Sequence, residues 1–236
     1  MKARVLMVVL LGAVPLLALE EDTSDAKVKR MLVGSNCYID NPDAAERMFQ
    51  NARRRCAGDT NRFARLLYEV AQTNDERIAE EMISCLGVYG TAAQLPFLYS
   101  MATNEQHGAA AVKSILRLEG VTSNAVSIAE SYLFSTNCRN RVRYEICDCL
   151  ISQFAKSPAS RSLAEGVAIR FMADCNIYHD WLDAAMKRAD PTYSQSKRRL
   201  SVLRAIFQRE TDANDLAYVT NAINELVAYP EADLPE

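Results

Sequence analysis

From about residue 40 onward, apolar residues recur at spacings of three and four, with almost none of the strict alternation that marks a strand. Ala79, Met82, Ile83 and Leu86 form one such stripe, Ala111, Val112, Ile115 and Leu116 a second, and Ile146, Cys149, Leu150 and Phe154 a third. Turn-forming residues break the pattern every 12 to 18 positions, and Gly58, Gly90, Gly120, Ser157-Pro158 and Asp190-Pro191 are among them. The spacing predicts an all-α chain of short amphipathic helices.

The pattern also repeats. "LLYEVAQTNDE" at 66–76 returns as "FLYSMATNEQ" at 97–106. Thr73-Asn74-Asp75-Glu76 and Thr103-Asn104-Glu105-Gln106 both fit the capping box, in which a threonine oxygen and a Glu or Gln side chain satisfy the free amides of a new helix. Thr136-Asn137 repeats the mark without the acid. Asn41-Pro42, Ser157-Pro158 and Asp190-Pro191 each place a cap residue before a first-turn proline. First helices are therefore expected to start near Pro42, Asp75, Glu105, Cys138 and Asn176. Second helices are expected over Asn61–Gln72, Leu95–Ala102, Ser123–Ser135, Ala159–Asp174 and Tyr193–Glu210. A last helix, Asp212–Val227, has no partner and is expected to cap the array. From Asp75 to Asp212 the starts lie 30, 33, 38 and 36 residues apart, the period of stacked helix pairs.

Residues 78–120, "IAEEMISCLGVYGTAAQLPFLYSMATNEQHGAAAVKSILRLEG", resemble HEAT repeats of the short bacterial kind. Leu86-Gly87-Val88-Tyr89-Gly90 matches the end of that family's first helix, and Leu95-Pro96 with Leu98 its second. Ala109-Ala110-Ala111, closing on Leu118-Glu119-Gly120, fits the next first helix; 42–75 and 121–175 fit more loosely, and 176–236 depart from the pattern. The Trp, Leu-Gly and Tyr positions of tetratricopeptide repeats are not in register. The resemblance implies a right-handed α-solenoid of about five helical hairpins over 42–228, after an N-terminal segment 20–41 and before an acidic tail 229–236.

The N-terminus changes the expected compartment. Lys2 and Arg4 precede an uncharged, mostly apolar run of 15 residues, Val5 to Leu19, and then Glu20, Glu21 and Asp22. This is the layout of a secretory signal peptide over 1–19, too short to span a bilayer comfortably. An uncleaved anchor is the alternative, since Leu16 sits where a smaller residue is usual before a cut at Ala18. The expected location is periplasmic or extracellular, with no membrane span in the mature chain of about 210 residues.

The full chain carries a net charge of −3, and without Lys2 and Arg4 it is −5, a poor match to nucleic acid. The basic clusters Arg53–Arg55, Arg139, Arg141 and Arg143, and Lys197–Arg199 read as solvated helix faces. All seven cysteines lie beyond residue 19, so in an oxidising compartment some should pair and one is left over. Cys85 and Cys149 take matching places on first helices and read as small core hydrophobes. Cys37 and Cys56 flank the first helix, while Cys138 and Cys175 each sit at a repeat junction; these four are the disulfide candidates.

The sequence holds no G-x-S-x-G, H-E-x-x-H, Walker A or C-x-x-C motif. His107 reads as an exposed helix-start residue. His179 and Asp183 lie four apart but make no closed metal site, and Trp181 between them reads as a core anchor. No metal or cofactor is expected. Tyr68, Tyr99 and Tyr132 recur five or six residues before the turn asparagine. They are candidates for a partner-binding surface on successive second helices, with packing between repeats as the alternative. The expected function is a non-catalytic scaffold or adaptor for an unknown protein partner. The alternative is an all-helical envelope hydrolase with an unmarked acid–base site.

Overall fold

The structure is a computed structural model and describes residues 24–35, 42–154, 161–174, 179–228 and 234–235. The proposed signal peptide, Cys37, Cys175 and the Ser157-Pro158 helix start lie outside these residues. Among the described residues the chain is all helical, with twelve α-helices and no strand. They are α1 (Asp25–Ser35), α2 (Pro42–Arg55), α3 (Thr60–Ala71), α4 (Glu76–Tyr89), α5 (Leu95–Met101) and α6 (Gly108–Glu119). Then follow α7 (Ser123–Leu133), α8 (Asn140–Ser152), α9 (Arg161–Asp174), α10 (His179–Ala189), α11 (Lys197–Phe207) and α12 (Ala213–Val227).

The three apolar stripes all reach the core. Met82, Ile83 and Leu86 on α4, Ala111, Ile115 and Leu116 on α6, and Ile146 and Leu150 on α8 are completely shielded, and Ala79, Val112, Cys149 and Phe154 nearly so. One helix escapes the sequence pattern. α1 falls in the expected N-terminal segment and is held by Val28 and Leu32, both fully buried. Arg62 Nε donates to Asp25 Oδ1 at 2.9 Å, Arg65 Nη2 donates to Asp25 Oδ2 at 2.6 Å, and Lys29 Nζ pairs with Glu69 at 3.0 Å, tying α1 to α3. Its apolar contribution is too small to give a readable stripe in the sequence.

In the central region α4, α6, α7, α8, α9 and α10 each pack on the next helix but one. α4 contacts α3 and α6; α6 contacts α5, α7 and α8; α8 contacts α7, α9 and α10; α9 contacts α7 and α11; α10 also contacts α12. The α4–α6 crossing explains Gly87. Ser114 Oγ donates to Ile83 O at 2.8 Å, and a Cβ on Gly87 would stand 2.7 Å from Ser114 Cα, so α4 and α6 meet backbone to backbone. Gly87→Ala is expected to force these helices apart at a cost of about 2 kcal/mol. In a chain of this size that lowers Tm by roughly 4–8 °C. Thermal unfolding followed by circular dichroism checks it; an unchanged Tm would mean that the α4–α6 crossing relaxes freely.

At α4, α6 and α8 the N-cap position is not held by Thr73, Thr103 or Thr136. At α4 the cap is Asp75, whose Oδ1 accepts from Arg77 N and Ile78 N, both at 3.1 Å. The Thr73 hydroxyl accepts only from Asp75 N, at 3.4 Å. A carboxylate faces the positive helix end with a full charge, so it displaces the hydroxyl two residues earlier. A reciprocal Thr–Gln arrangement does occur at the 3₁₀ turn Ala92–Gln94, where Thr91 N donates to Gln94 Oε1 at 2.9 Å. The tail is not wholly separate either: Leu234 is buried, and Lys197 N donates to Pro235 O at 2.8 Å.

Candidate functional site

A groove of about 1050 Å³ runs past the amino-terminal ends of α4, α6 and α8. Its centre is the turn between α5 and α6. There Asn104 Oδ1 accepts from Gln106 N at 2.9 Å and His107 N at 3.1 Å, and Asn104 O accepts from Gly108 N at 2.8 Å. An asparagine that bonds its own backbone two and three residues on makes a tight, rigid turn. Thr103 has turned away, its hydroxyl donating to Ser100 O at 3.1 Å. The two repeated turns also meet each other: Gln106 Nε2 donates to Glu76 Oε1 at 2.8 Å, from thirty residues away.

Burial of His107 is the main departure from the sequence expectation. Instead of facing water, its side chain is 8% exposed, lines the groove, and leaves Nδ1 without a hydrogen-bond partner. A close approach occurs at the glycine after it. Gly108 lets the Tyr132 hydroxyl come so close that a Cβ would stand 1.7 Å from it, and that hydroxyl donates to Ala102 O at 2.7 Å. α7 is thereby held against the α5–α6 turn. The Gly next to His107 was the one sequence signal of this close approach.

The far wall is the start of α8, with Asn137, Cys138, Arg139 and Val142. Burial pushes the Cys138 thiol pKa up, with Arg143 opposing, and burial raises the Tyr132 hydroxyl as well, helped by the nearby thiol. Neither is thereby activated as a nucleophile at neutral pH. His107 sits at the N-cap of α6 and Arg139 at that of α8, and neither side chain caps its helix. Elsewhere Asp59, Asp75, Thr122, Ser196 and Asp212 do.

Of the three tyrosine candidates, Tyr132 lines the groove, while Tyr68 and Tyr99 are not among its lining residues. Tyr132 and Cys138 both line the groove. Tyr68 packs edge-on against Phe97, with ring centroids 5.0 Å apart, and joins α3 to α5. Tyr99 donates to Glu119 Oε2 at 2.5 Å, and burial together with that carboxylate raises its pKa to about 12. All three are half-buried between helices.

Cys56 is buried and Cys138 half-buried, and among the described residues both are free thiols; their proposed partners Cys37 and Cys175 lie outside those residues. Cys85 packs against the core, and burial, followed by the Glu81 carboxylate, pushes its thiol up to about 12. At pH 8 its thiolate fraction is then about 10⁻⁴, against roughly a quarter for an ordinary thiol. Iodoacetamide at pH 8 is expected to label Cys85 far more slowly in the native chain than in urea; equal rates would refute the buried environment.

The other concentration of charge lies between α9 and α12, and it corrects two expectations. Trp181 does not anchor α10 in the core: it is 62% exposed and rests edge-on against Tyr144. Asp183 is the buried residue instead, at 2% exposure. Arg199, expected on a solvated face, is buried with it. Arg199 Nε donates to Asp183 Oδ1 at 3.0 Å and Nη2 to Oδ2 at 3.1 Å, while Tyr218 and Lys187 reach Oδ2 at 2.7 and 2.8 Å. Trp181 and Asp183, two residues apart, lie about 200° apart around the helix, and a buried carboxylate with its arginine sixteen residues away leaves no periodic trace. Glu165 and Asp190, also buried, are shared by Arg161 and Arg198.

Among the described residues, no group of three or more His, Cys, Asp or Glu side chains is placed to hold a metal. No helix there is long and apolar enough to cross a membrane. Comparison with known protein families, curated proteins and solved structures finds no match.

Proposed function

We propose that this chain is an exported, HEAT-like α-solenoid that binds another protein and carries no catalytic site. The solenoid reading is supported by the packing of α4, α6, α7, α8, α9 and α10 each on its next-but-one neighbour. It is also supported by side-chain bonds that recur at the repeat distance: Gln106 to Glu76, Tyr132 to Ala102, Ser114 to Ile83 and Lys113 to Glu145 are 30 to 32 residues apart. Export is supported by the basic, apolar, acidic order of residues 2–22. Amino-terminal sequencing tests it: a start near Leu19 or Glu20 is expected, and retention of Lys2 would leave the chain tethered.

The observation that carries the binding role is the groove, which is assembled from residues of three successive helical hairpins. Stacked repeats create such continuous surfaces without any cofactor. The buried carboxylates favour the same view over a hydrolase. Burial alone would raise Asp183, but bonds from Arg199, Lys187 and Tyr218 bring it below the usual carboxylate range. Thr192 and Arg161 do the same for Asp190. A general acid must be neutral near the working pH, and these groups are held ionised.

Photo-cross-linking residues placed singly at Ser131, Asn137 and, as a distant control, Gln208 test the binding role in the native compartment. One shared adduct from Ser131 and Asn137, absent from Gln208 and lost with Arg139→Glu, is expected. Adducts of equal intensity from all three positions, or none, would overturn the groove as the contact surface.

A further inference from the structure

The start of α11 already holds a peptide segment. Ser196 caps this 11-residue helix through its hydroxyl, which accepts from Arg199 N at 3.2 Å. The amide of Lys197, first in the helix, has no acceptor inside its own helix. Pro235 O of the tail accepts from it at 2.8 Å. Next to that proline, Leu234 is 5% exposed and belongs to the apolar core, while Pro235 itself is exposed.

Each part of this contact selects for a kind of segment. A helix-start amide takes the carbonyl of any residue, so the hydrogen bond sets position and leaves sequence open. Burial selects the leucine. Proline has no N–H, so it leaves no donor to satisfy beside the helix. It also restricts the residue before it to extended conformations, so the leucine loses less freedom on docking. Asp233 and Glu236 flank the pair in the sequence, and acids are the residues favoured near the positive end of a helix.

The hold on the tail is small. Among the described residues it consists of one buried side chain and one backbone bond. Only residues 228–233 separate Leu234 from the end of α12. A connection this short keeps the tail near its site at an effective concentration on the order of 1 mM. Filling the site in cis therefore needs no high affinity, and a segment of the same chemistry on another protein competes for it.

We infer that the start of α11 is a docking site for an extended, acidic partner segment in which leucine is followed by proline, and that residues 234–235 fill it in cis until such a segment displaces them. The site shares no residue with the groove of α4, α6 and α8, and it does not rest on the reading of that groove.

The test uses the full chain and the peptide Glu-Ala-Asp-Leu-Pro-Glu, the sequence of residues 231–236, with fluorescein at its amino end and an amide at its carboxyl end. Leu234→Asp in the full chain empties the site. Anisotropy is expected to show this variant binding the peptide and the native chain binding it more weakly. For a peptide Kd of about 100 µM, a tethered competitor at about 1 mM makes that difference about tenfold. The same peptide with aspartate in place of leucine should bind neither chain. Equal affinity of the two chains, no binding by either, or undiminished binding of the aspartate peptide overturns the inference. Hydrogen exchange of the native chain gives a second readout that needs no variant. Lys197 N is expected to exchange through release of the tail alone, with about tenfold protection, far below that of Leu203 N in the middle of α11. Equal protection of the two amides would make the tail a fixed part of the fold and overturn its displacement. None of these results bears on the groove, which stands or falls with the cross-linking above.

Discussion

Replacing Asp183 by Asn is expected to cost about 3–5 kcal/mol, the usual penalty for breaking a buried ion pair from one side, and to lower Tm by roughly 10 °C. The substitution keeps the shape but removes the charge that Arg199 and Lys187 share, and Arg199 is only 3% exposed. Removing both partners is a different matter. Asp183→Leu with Arg199→Met takes the desolvation cost away together with the attraction, so the pair is expected to cost much less than the two single changes added together. Urea unfolding of the four proteins measures this; strict additivity would mean that the two side chains do not interact.

The same group sets an acid limit. The Asp183 carboxyl titrates lower in the folded chain than in the unfolded one, where about 3.9 is usual. Its contribution is therefore complete above about pH 4 and is lost as the pH falls through the lower folded value. The stability gap between the native chain and Asp183→Asn should hold between about pH 5 and 7 and close as the pH drops below about 4. A gap that widens in acid would contradict the assignment of Asp183 as the buried anion.

Gly108→Ala is the second large effect. The added methyl would meet the Tyr132 hydroxyl at 1.7 Å and Ala102 O at 2.9 Å. The ring end must withdraw, breaking the 2.7 Å bond to Ala102 O. A cost of about 3 kcal/mol is expected from overpacking and the lost bond together. Tyr132→Phe alone should cost about 1 kcal/mol, since only the hydrogen bond goes. In the double variant the methyl meets a shorter side chain, so part of the Gly108→Ala loss should be recovered. Recovery of nothing would mean that the close approach of Tyr132 is not what requires glycine.

Helices were legible in the sequence because their apolar faces recur at three and four. The stripes through Met82, Ile115 and Leu150 lie fully buried. Most starts were placed within a few residues, since turns and cap-forming side chains are local. The cap itself was misplaced where two candidates competed, as at Thr73 and Asp75, because a carboxylate wins that competition electrostatically. Site features depended on tertiary approach and could not be read in the same way. His107 is buried, and the adjacent Gly108 admits a tyrosine 24 positions later. Asp183 and Trp181 differ by two positions and lie on different helix faces, and the polar one went inward because Arg199 waits there. Periodicity ranks side chains by polarity and so assigns such a pair the wrong way round.

Hydrogen exchange of the full chain, with and without the partner captured at Ser131 and Asn137, is the most direct test of the groove as recognition surface. The first-turn amides of α6 and α8, around Ala109 and Val142, carry no side-chain cap and should exchange fast in the free chain. The account predicts that partner binding protects these two turns together, while α11 and α12 exchange as before. Protection centred on the exposed Trp181 face, with the turns at Ala109 and Val142 unchanged, would contradict it.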